Sequence, residues 1–381
     1  LNPGVDRLTL SVGMIFDGKG ELQSSEFCRS VIHSNERMTY TAVRKILIDR
    51  DEPIRNQYQN LVEDFEWMLE LSRILTARRL RKGAIDFDLP EAEVEYDVHG
   101  EIHDVVRSER NEAHRMIEEF MLMANETVAQ HLEKHQLPVI YRIHEKPDPS
   151  KLEDFQGIAA GFGYRLQADS KGNFPSSSFQ KVMARIAQKP EQRFLAYLML
   201  RSFKQAQYSK VNQGHFGLAT VCYAHFTSPI RRYPDLITHR LLKTFLKRKA
   251  TAREKKILQS RIQESAAQSS HREDRAMAVE REVNDLRRAQ FMAGKVGKTY
   301  TGTIISVTAF GFFVELAEVF VEGLVRVSSL TDDYYIYIEP EHKWIGQRRH
   351  RTFKIGDRVK VRVADVNIAL RRINLDWLKT L

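Results

Sequence analysis

Apolar residues recur with a strand-like period at both ends of this chain and with a helical period between them. Leu8-Thr9-Leu10-Ser11-Val12-Gly13-Met14-Ile15-Phe16 is β-rich, and Asp17-Gly18-Lys19-Gly20 is a hairpin signal. A returning strand is expected through Phe27 to Val31. From Ile54 to about Leu80 the spacing is helical: Ile54, Tyr58, Leu61, Phe65, Met68 and Leu69 share a face, and Gly83 closes the element. Residues 84–106 read as β-like. A long helix follows from about Arg107 to Glu133, with Ala113, Met116, Ile117, Phe120, Ala124 and Val128 as its apolar stripe. Pro147-Asp148-Pro149 reads as a break. Two more helices are expected over 176–187 and 190–206. Residues 247–293 are charged and free of Pro and Gly, and are expected to form a helical hairpin. From Lys295 the period returns to two. Gly corners separate five short strands, ending at Arg371-Arg372-Ile373-Asn374-Leu375, which predicts a small closed barrel.

At 381 residues the chain has room for two domains and a large core. Charge changes the picture more than length does. There are 59 Lys+Arg against 50 Asp+Glu, net +9, and this balance favours polyanionic partners. Cys28 and Cys222 give neither a disulfide framework nor a metal pattern, which fits a reducing, cytoplasmic compartment. No apolar run approaches the ~18 residues a spanning helix needs, so no membrane partner is expected. The chain opens on Leu1 rather than Met, which reads as a fragment.

The densest chemistry lies in Tyr223-Ala224-His225-Phe226-Thr227-Ser228-Pro229-Ile230-Arg231-Arg232-Tyr233-Pro234-Asp235-Leu236. The pattern predicts an apolar strand, a Ser-Pro turn, and a helix that starts at two adjacent arginines. Helix N-termini offer unpaired N–H groups, and guanidinium forks offer bidentate donors, so this is a place to hold a phosphate. The bland alternative is an arginine pair on a solvated helix end. His225 and His239 are expected to be core or supporting histidines rather than acid–base groups.

That string resembles the signature of the RNB catalytic domain of the ribonuclease R and ribonuclease II exoribonucleases. The barrel segment, with Phe310-Gly311-Phe312-Phe313-Val314 and Val321-Glu322-Gly323-Leu324-Val325-Arg326, resembles the S1-type RNA-binding domain. The resemblance implies an α+β RNB domain over 1–293, lacking its start, and an all-β OB-fold barrel over 295–381. It implies 3′-to-5′ hydrolysis of single-stranded RNA to nucleoside 5′-monophosphates by a monomer with no small-molecule cofactor, using Mg²⁺. The family's metal ligands are an aspartate cluster of the form D-x-x-D-x-D-D. It is not found here: Asp332-Asp333 is the one Asp-Asp pair, and it falls inside the barrel segment. The ligands are therefore expected upstream of Leu1, and the chain as given is expected to be inactive.

By the same resemblance, Arg231 contacts the scissile or adjacent phosphate, and Glu280 lies close to the active site. Arg232 is the second RNA-binding arginine, with a structural pair to a carboxylate as its competing role. Tyr40 lines the RNA channel, Phe87 clamps the last base, and Glu118 reads a ribose hydroxyl. Core packing is the competing role for the two aromatics, and a solvated charge for Glu118. In the barrel, Phe310 and Phe313 match the stacking pair, although strand alternation would turn one of them inward. Arg326 stands where many S1-type domains carry His, and Arg372 adds charge to the same face. Arg78-Arg79-Leu80-Arg81-Lys82 and Lys247-Arg248-Lys249 are read as solvated basic runs. A non-catalytic module that binds single-stranded RNA is the alternative to the enzyme.

Overall fold

The computed structural model describes residues 2–87, 92–108, 110–246, 248 and 250–381. Strands β1 (Asp6–Phe16) and β2 (Leu22–His33) form a long antiparallel hairpin with Val12 opposite Phe27. Its turn closes because the Asp17 carboxylate accepts from the N–H groups of Lys19 and Glu21, each at 2.9 Å. Those backbone donors hold the Asp17 carboxyl below its usual range. Leu10, Val12, Met14 and Phe27 point into a core shared with the long helix α4 (Glu112–Lys134).

Short helices α1 (Tyr40–Arg44) and α2 (Glu52–Gln57) are capped by Thr39 and Asp51, and lead to α3 (Gln59–Arg81). Strands β3 (Ala92–Tyr96) and β4 (Ile102–Arg107) form a second hairpin. Helix α4 (Glu112–Lys134) begins after Asn111, whose Oδ1 accepts from the N–H groups of Ala113 and His114. The helix thus starts five residues after the expected Arg107, which is still strand. Strand β5 (Tyr141–Ile143) pairs with β6 (Gln207–Ser209), and between them lie α5 (Pro149–Gly161), α6 (Ser176–Ile186) and α7 (Gln192–Ser202). The break expected at Pro147-Asp148-Pro149 is the start of α5. Asp148 is its N-cap and Pro149 its first residue, where a missing N–H costs nothing.

Two expectations fail beyond this point. The apolar stretch Tyr223–Phe226 is not a strand: only Ala224 makes a ladder contact, to Tyr141. A side chain takes the place of a partner strand, since the buried Asn125 accepts from the N–H of Phe226 at 2.8 Å and of Thr227 at 3.2 Å. After α8 (Tyr233–Phe245), residues 252–293 are not a hairpin but one helix, α9 (Ala252–Ala293). Thr251 and Glu254 form a capping box at its start, and nothing inside its 42 residues can turn the chain. At 1.5 Å per residue it is roughly 63 Å long. Lys247 and Lys249 lie outside the described residues, and Arg248 pairs with Glu254 at 2.6 Å.

The expected barrel is present. It closes in the order β13 (Arg358–Asn367), β14 (Arg372–Thr380), β9 (Glu322–Arg326), β8 (Gly311–Leu316) and β7 (Thr299–Thr308). Three strands not foreseen, β10 (Tyr335–Ile338), β11 (Lys343–Gly346) and β12 (Thr352–Lys354), form a small added sheet. Phe353 of that sheet stacks on Phe312 at 4.8 Å, and both are fully buried. Truncating either to Ala would cost roughly 3–5 kcal/mol.

The barrel is packed onto the first domain rather than tethered to it. One apolar cluster runs from Phe179 and Leu195 into Phe312 and Val361. Arg193 of α7 pairs with Glu315 and, at 2.8 Å, with Glu322. The N–H of Phe320 donates to the carbonyl of Val105 at 2.9 Å.

Candidate functional site

The Ser228–Asp235 segment is fixed by a buried carboxylate. Asp235 is fully buried in the first turn of α8, and its Oδ1 accepts from the Ser228 N–H and from Arg232 Nη2, each at 2.8 Å. Arg232 Nη2 also reaches Thr227 Oγ1 at 3.3 Å. The Ser228 carbonyl accepts from the N–H groups of Arg231 and Arg232. The two arginines therefore precede the helix, which starts at Tyr233, instead of lying in its first turn. They also part company. Arg232 is locked inward as the structural ion pair, whereas Arg231 is exposed and its guanidinium makes no hydrogen bond or ion pair with a described residue.

Arg231 stands at the mouth of a cleft of about 560 Å³ walled by Tyr208, Tyr233, Ser269, Arg272 and Glu273. Arg272, on α9, is also exposed and unpaired among the described residues. Glu273 is taken by Arg142, whose guanidinium lies 4.7 Å from the Tyr208 ring centre. Glu280 is exposed one helical turn beyond Ala276 and shares the cleft-facing side of α9. Behind the cleft, Tyr208 Oη and His225 Nδ1 are 2.9 Å apart. Burial, reinforced by Arg232 and Arg142, drives the His225 pKa down to about 2, so its ring is neutral. His239 Nε2 donates to the Phe226 carbonyl at 2.8 Å. Both histidines support the turn and neither faces the cleft as a free base.

A second constellation forms around the start of α4. Tyr40 is half-exposed and stacks on His114, with ring centres 3.9 Å apart. One turn further along, Glu118 Oε2 accepts from Arg110 Nη2 at 2.7 Å, and Arg110 Nη1 reaches Asp86 Oδ1 at 2.7 Å. Burial is the largest single influence and would raise the Asp86 pKa, but the Arg110 hydrogen bond together with the charges of Arg110, Arg79 and Arg115 holds the carboxyl below its usual range. Phe87 is half-buried, edge-on to Phe203 at 5.5 Å, and packs on the core. So Tyr40, Phe87 and Glu118, separated by up to 78 positions, are linked through His114, Arg110 and Asp86. Glu118 is paired rather than solvated.

The barrel candidates meet at a third place. Phe310, Phe313, Arg326 and Arg372 line one cleft of about 560 Å³. Neither phenylalanine turns inward, because the chain bends at Gly311 between them and the buried position falls to Phe312. Gly311 is required there: a Cβ would sit 2.1 Å from the Val325 carbonyl oxygen. The sequence did not reveal that α9 forms a wall of the same cleft through Asp285 and Arg288, or that Arg371 joins it. Arg288 Nη1 reaches Asp285 at 3.2 Å, while its Nε is buried without a partner.

The basic run at 78–82 is a solvated face only at Arg81 and Lys82, which are exposed. Arg78 is buried against Glu21 at 2.9 Å, and Arg79 pairs with the buried Glu119 at 2.6 Å. Helical spacing turns both toward α4. Among the described residues, no three His, Cys, Asp or Glu side chains meet in a metal-ligand arrangement. Asp332 pairs with Arg351, and Asp333 accepts from backbone N–H groups. No described helix is long and apolar enough to cross a membrane.

Comparison with known proteins identifies the two parts of the chain. Residues 1–248 match the RNB domain family, and residues 294–376 match the S1 RNA binding domain family. The chain is 42% identical to ribonuclease R of Aquifex aeolicus over 381 residues, covering 100% of this chain and 53% of that protein. It is 38% identical to ribonuclease R of Escherichia coli over 388 residues, covering 100% of this chain and 47% of that protein. The chain thus spans about half the length of these relatives. Its fold superposes on RNase R of Mycoplasma genitalium, solved in complex with ribose methylated single-stranded RNA, with TM-score 0.88 and 28% identity. That match covers 99% of this chain and 58% of the other. With its RNB domain, its S1 barrel and its likeness to ribonuclease R along its whole length, this chain belongs to the RNB ribonuclease family.

Proposed function

We propose that this chain takes part in 3′-to-5′ hydrolysis of single-stranded RNA to nucleoside 5′-monophosphates, with residues 1–293 acting as the catalytic unit and 295–381 as the capture unit. The observation that carries the reading is the pair of arginines at Ser228–Asp235. Arg232 is spent on a buried aspartate, and that holds Arg231 unpaired at a cleft mouth. An unneutralised guanidinium carried on a fixed backbone turn suits a phosphate whose charge grows during hydrolysis. Arg272 across the cleft adds a second positive charge, and Glu280 lies about two turns further along the same helix. Tyr40, Phe87 and Glu118 hold the 3′-terminal nucleotides through stacking and a 2′-hydroxyl contact. In the barrel, Phe310, Phe313 and the Arg326 guanidinium stack on bases, while Arg372 and Arg288 meet phosphates.

Magnesium is the metal this family implies, and the described residues do not fit it. No acidic trio converges, and both barrel aspartates are committed elsewhere. Hard Mg²⁺ demands several oxygens at one point. No step through the metal is therefore derived from these residues. We propose that residues 1–381 by themselves bind RNA and do not turn it over. The same observation favours the second reading, a non-catalytic RNA-binding module.

The test is anisotropy of labelled oligoadenylate with the purified chain, followed by incubation with Mg²⁺. Binding is expected to weaken steeply with salt, at about −0.7 in log K against log salt per neutralised phosphate. Phe310→Ala should lose about 1–3 kcal/mol of affinity. Salt-independent binding would contradict the phosphate-tracking reading. Robust release of mononucleotides would overturn the inactivity of the isolated chain.

A further inference from the structure

The added sheet of the barrel domain carries a basic turn that none of the clefts uses. Gln347-Arg348-Arg349-His350-Arg351 joins β11 to β12. Its backbone is tied down by one carboxylate: Asp333 accepts from the N–H groups of Arg349 at 2.7 Å, Arg348 at 3.1 Å and Tyr334 at 2.7 Å. Those bonds hold the Asp333 carboxyl below its usual range, so it stays ionised as the anchor. Gly346 makes room for it, since a Cβ there would fall 2.5 Å from Asp333 Oδ2. Asp332 is taken by Arg351, which also lies over the Trp377 ring at 4.5 Å. Arg349 is 3.7 Å from that shared Asp332 and is 60% exposed. The Arg348 side chain is exposed and makes no hydrogen bond or close ion pair with a described residue, although its charge adds to the field that holds Asp333 ionised.

The two carboxylates thus lie at the base of the turn and are already used. Arg348, Arg349 and His350 project outward, and Tyr334, 70% exposed, stands beside them because its carbonyl accepts from the Gln347 N–H at 2.8 Å. Three arginines share two carboxylates here, so the turn keeps an excess of positive charge that an arriving anion would relieve. The turn is not part of the Phe310 cleft. Arg351 rests on Trp377, which is five residues along β14 from Arg372, about 17 Å at the usual strand rise.

We propose that Arg348, Arg349 and Tyr334 form a second RNA contact on the barrel domain, in which the arginines take backbone phosphates and the tyrosine takes a base face. It rests on the reading that the barrel binds single-stranded RNA, and it adds a site reached only by a strand that extends past the Phe310 cleft. Two arginines held at fixed spacing neutralise phosphates without first paying the ordering cost of a flexible tail.

The experiment compares the unmodified chain, R348A/R349A, Phe310→Ala and the control K181A/K189A, which removes two exposed lysines elsewhere. Each is titrated with an oligouridine of about four nucleotides, short enough for one barrel cleft, and one of about twenty. For the longer RNA, R348A/R349A should reduce the log K–log salt slope by about 1.4, two phosphates' worth. It should leave the short RNA's affinity unchanged, and the control should move neither. Phe310→Ala should weaken both lengths. A slope for R348A/R349A equal to that of the unmodified chain or the control would overturn the second contact. Gly346→Ala, which forces the turn off Asp333 and keeps its charge, should also weaken the longer RNA; unchanged affinity would overturn the fixed-turn argument. If the unmodified chain binds neither RNA, the underlying reading fails, and this contact with it.

Discussion

Replacing Arg232 with Ala should destabilise the first domain far more than replacing its neighbour Arg231. The Arg232–Asp235 pair is 2.8 Å long, with side chains 19% and 0% exposed. An exposed pair would be worth about 0–1 kcal/mol, but removing one partner of a buried pair costs about 3–5 kcal/mol, because the remaining charge is stranded. Asp235 would keep the Ser228 N–H as a donor, and Arg232 is partly wet, so the lower end applies: about 3 kcal/mol. That is roughly two orders of magnitude in the folding equilibrium. Arg231→Ala removes no contact and should fall within about 0.5 kcal/mol of the parent. Urea unfolding followed by circular dichroism at helical wavelengths reads both. The double variant R232A/D235N should cost less than the sum of its parts, since both changes break one interaction. Equal midpoints for R231A and R232A would refute the division of labour between the two arginines.

Acid should destabilise the fold early. Burial, the largest cause in each, depresses the pKa of His215 to about 3 and of His225 to about 2. The unfolded chain takes up these protons near pH 6.5 and the folded chain does not, so stability is complete above about pH 6.5 and falls as pH drops toward 3. Between pH 7 and 5 the loss should reach at most about 2 kcal/mol for each histidine. Thermal melts across that range measure it, and a melting temperature flat from pH 7 to 5 would contradict the assignment. Arg193→Ala should loosen the barrel from the first domain by about 2 kcal/mol, between the exposed and buried limits for ion pairs. Hydrogen exchange at the Phe320 amide, which bridges the two domains, should speed up while amides inside the barrel sheet hold steady.

Local patterns carried far in this chain. The barrel was legible because strand alternation and corner glycines are local signals, and Gly311 has no tolerated substitute. Arg231 and Arg232 were legible as a pair. Their separation into one free and one locked side chain depended on Asp235, three residues on, folding back onto the turn. Helix α5 was missed because Pro147 and Pro149 were read as breakers, whereas Asp148 makes the same prolines a start signal. The hairpin expected in 247–293 had no turn residue to support it, and the capping box at Thr251 and Glu254 was the stronger signal. Asn125 and Arg272 could not be found from sequence. Asn125 bonds the Tyr223–Asp235 segment and Arg272 lines the cleft beside it, both from distant elements, and neither sits in a spacing that marks it. The strands β10 to β12 are too short, at three or four residues each, to show alternation.

The central claim is that one RNA strand runs from the barrel cleft to the Arg231 cleft with its 3′ end at Arg231. Photocrosslinking tests this directly. Oligoadenylates carrying a single 4-thiouridine, either at the 3′ end or well upstream, are bound to the chain, irradiated and mapped by mass spectrometry. The 3′-terminal probe should attach to peptides around Tyr40 or Phe87, or to those lining the Arg231 cleft around Tyr208, Tyr233 or Arg272, and the upstream probe to peptides around Phe310 and Phe313. Reversed polarity, or crosslinks from both probes confined to the barrel, would contradict the account.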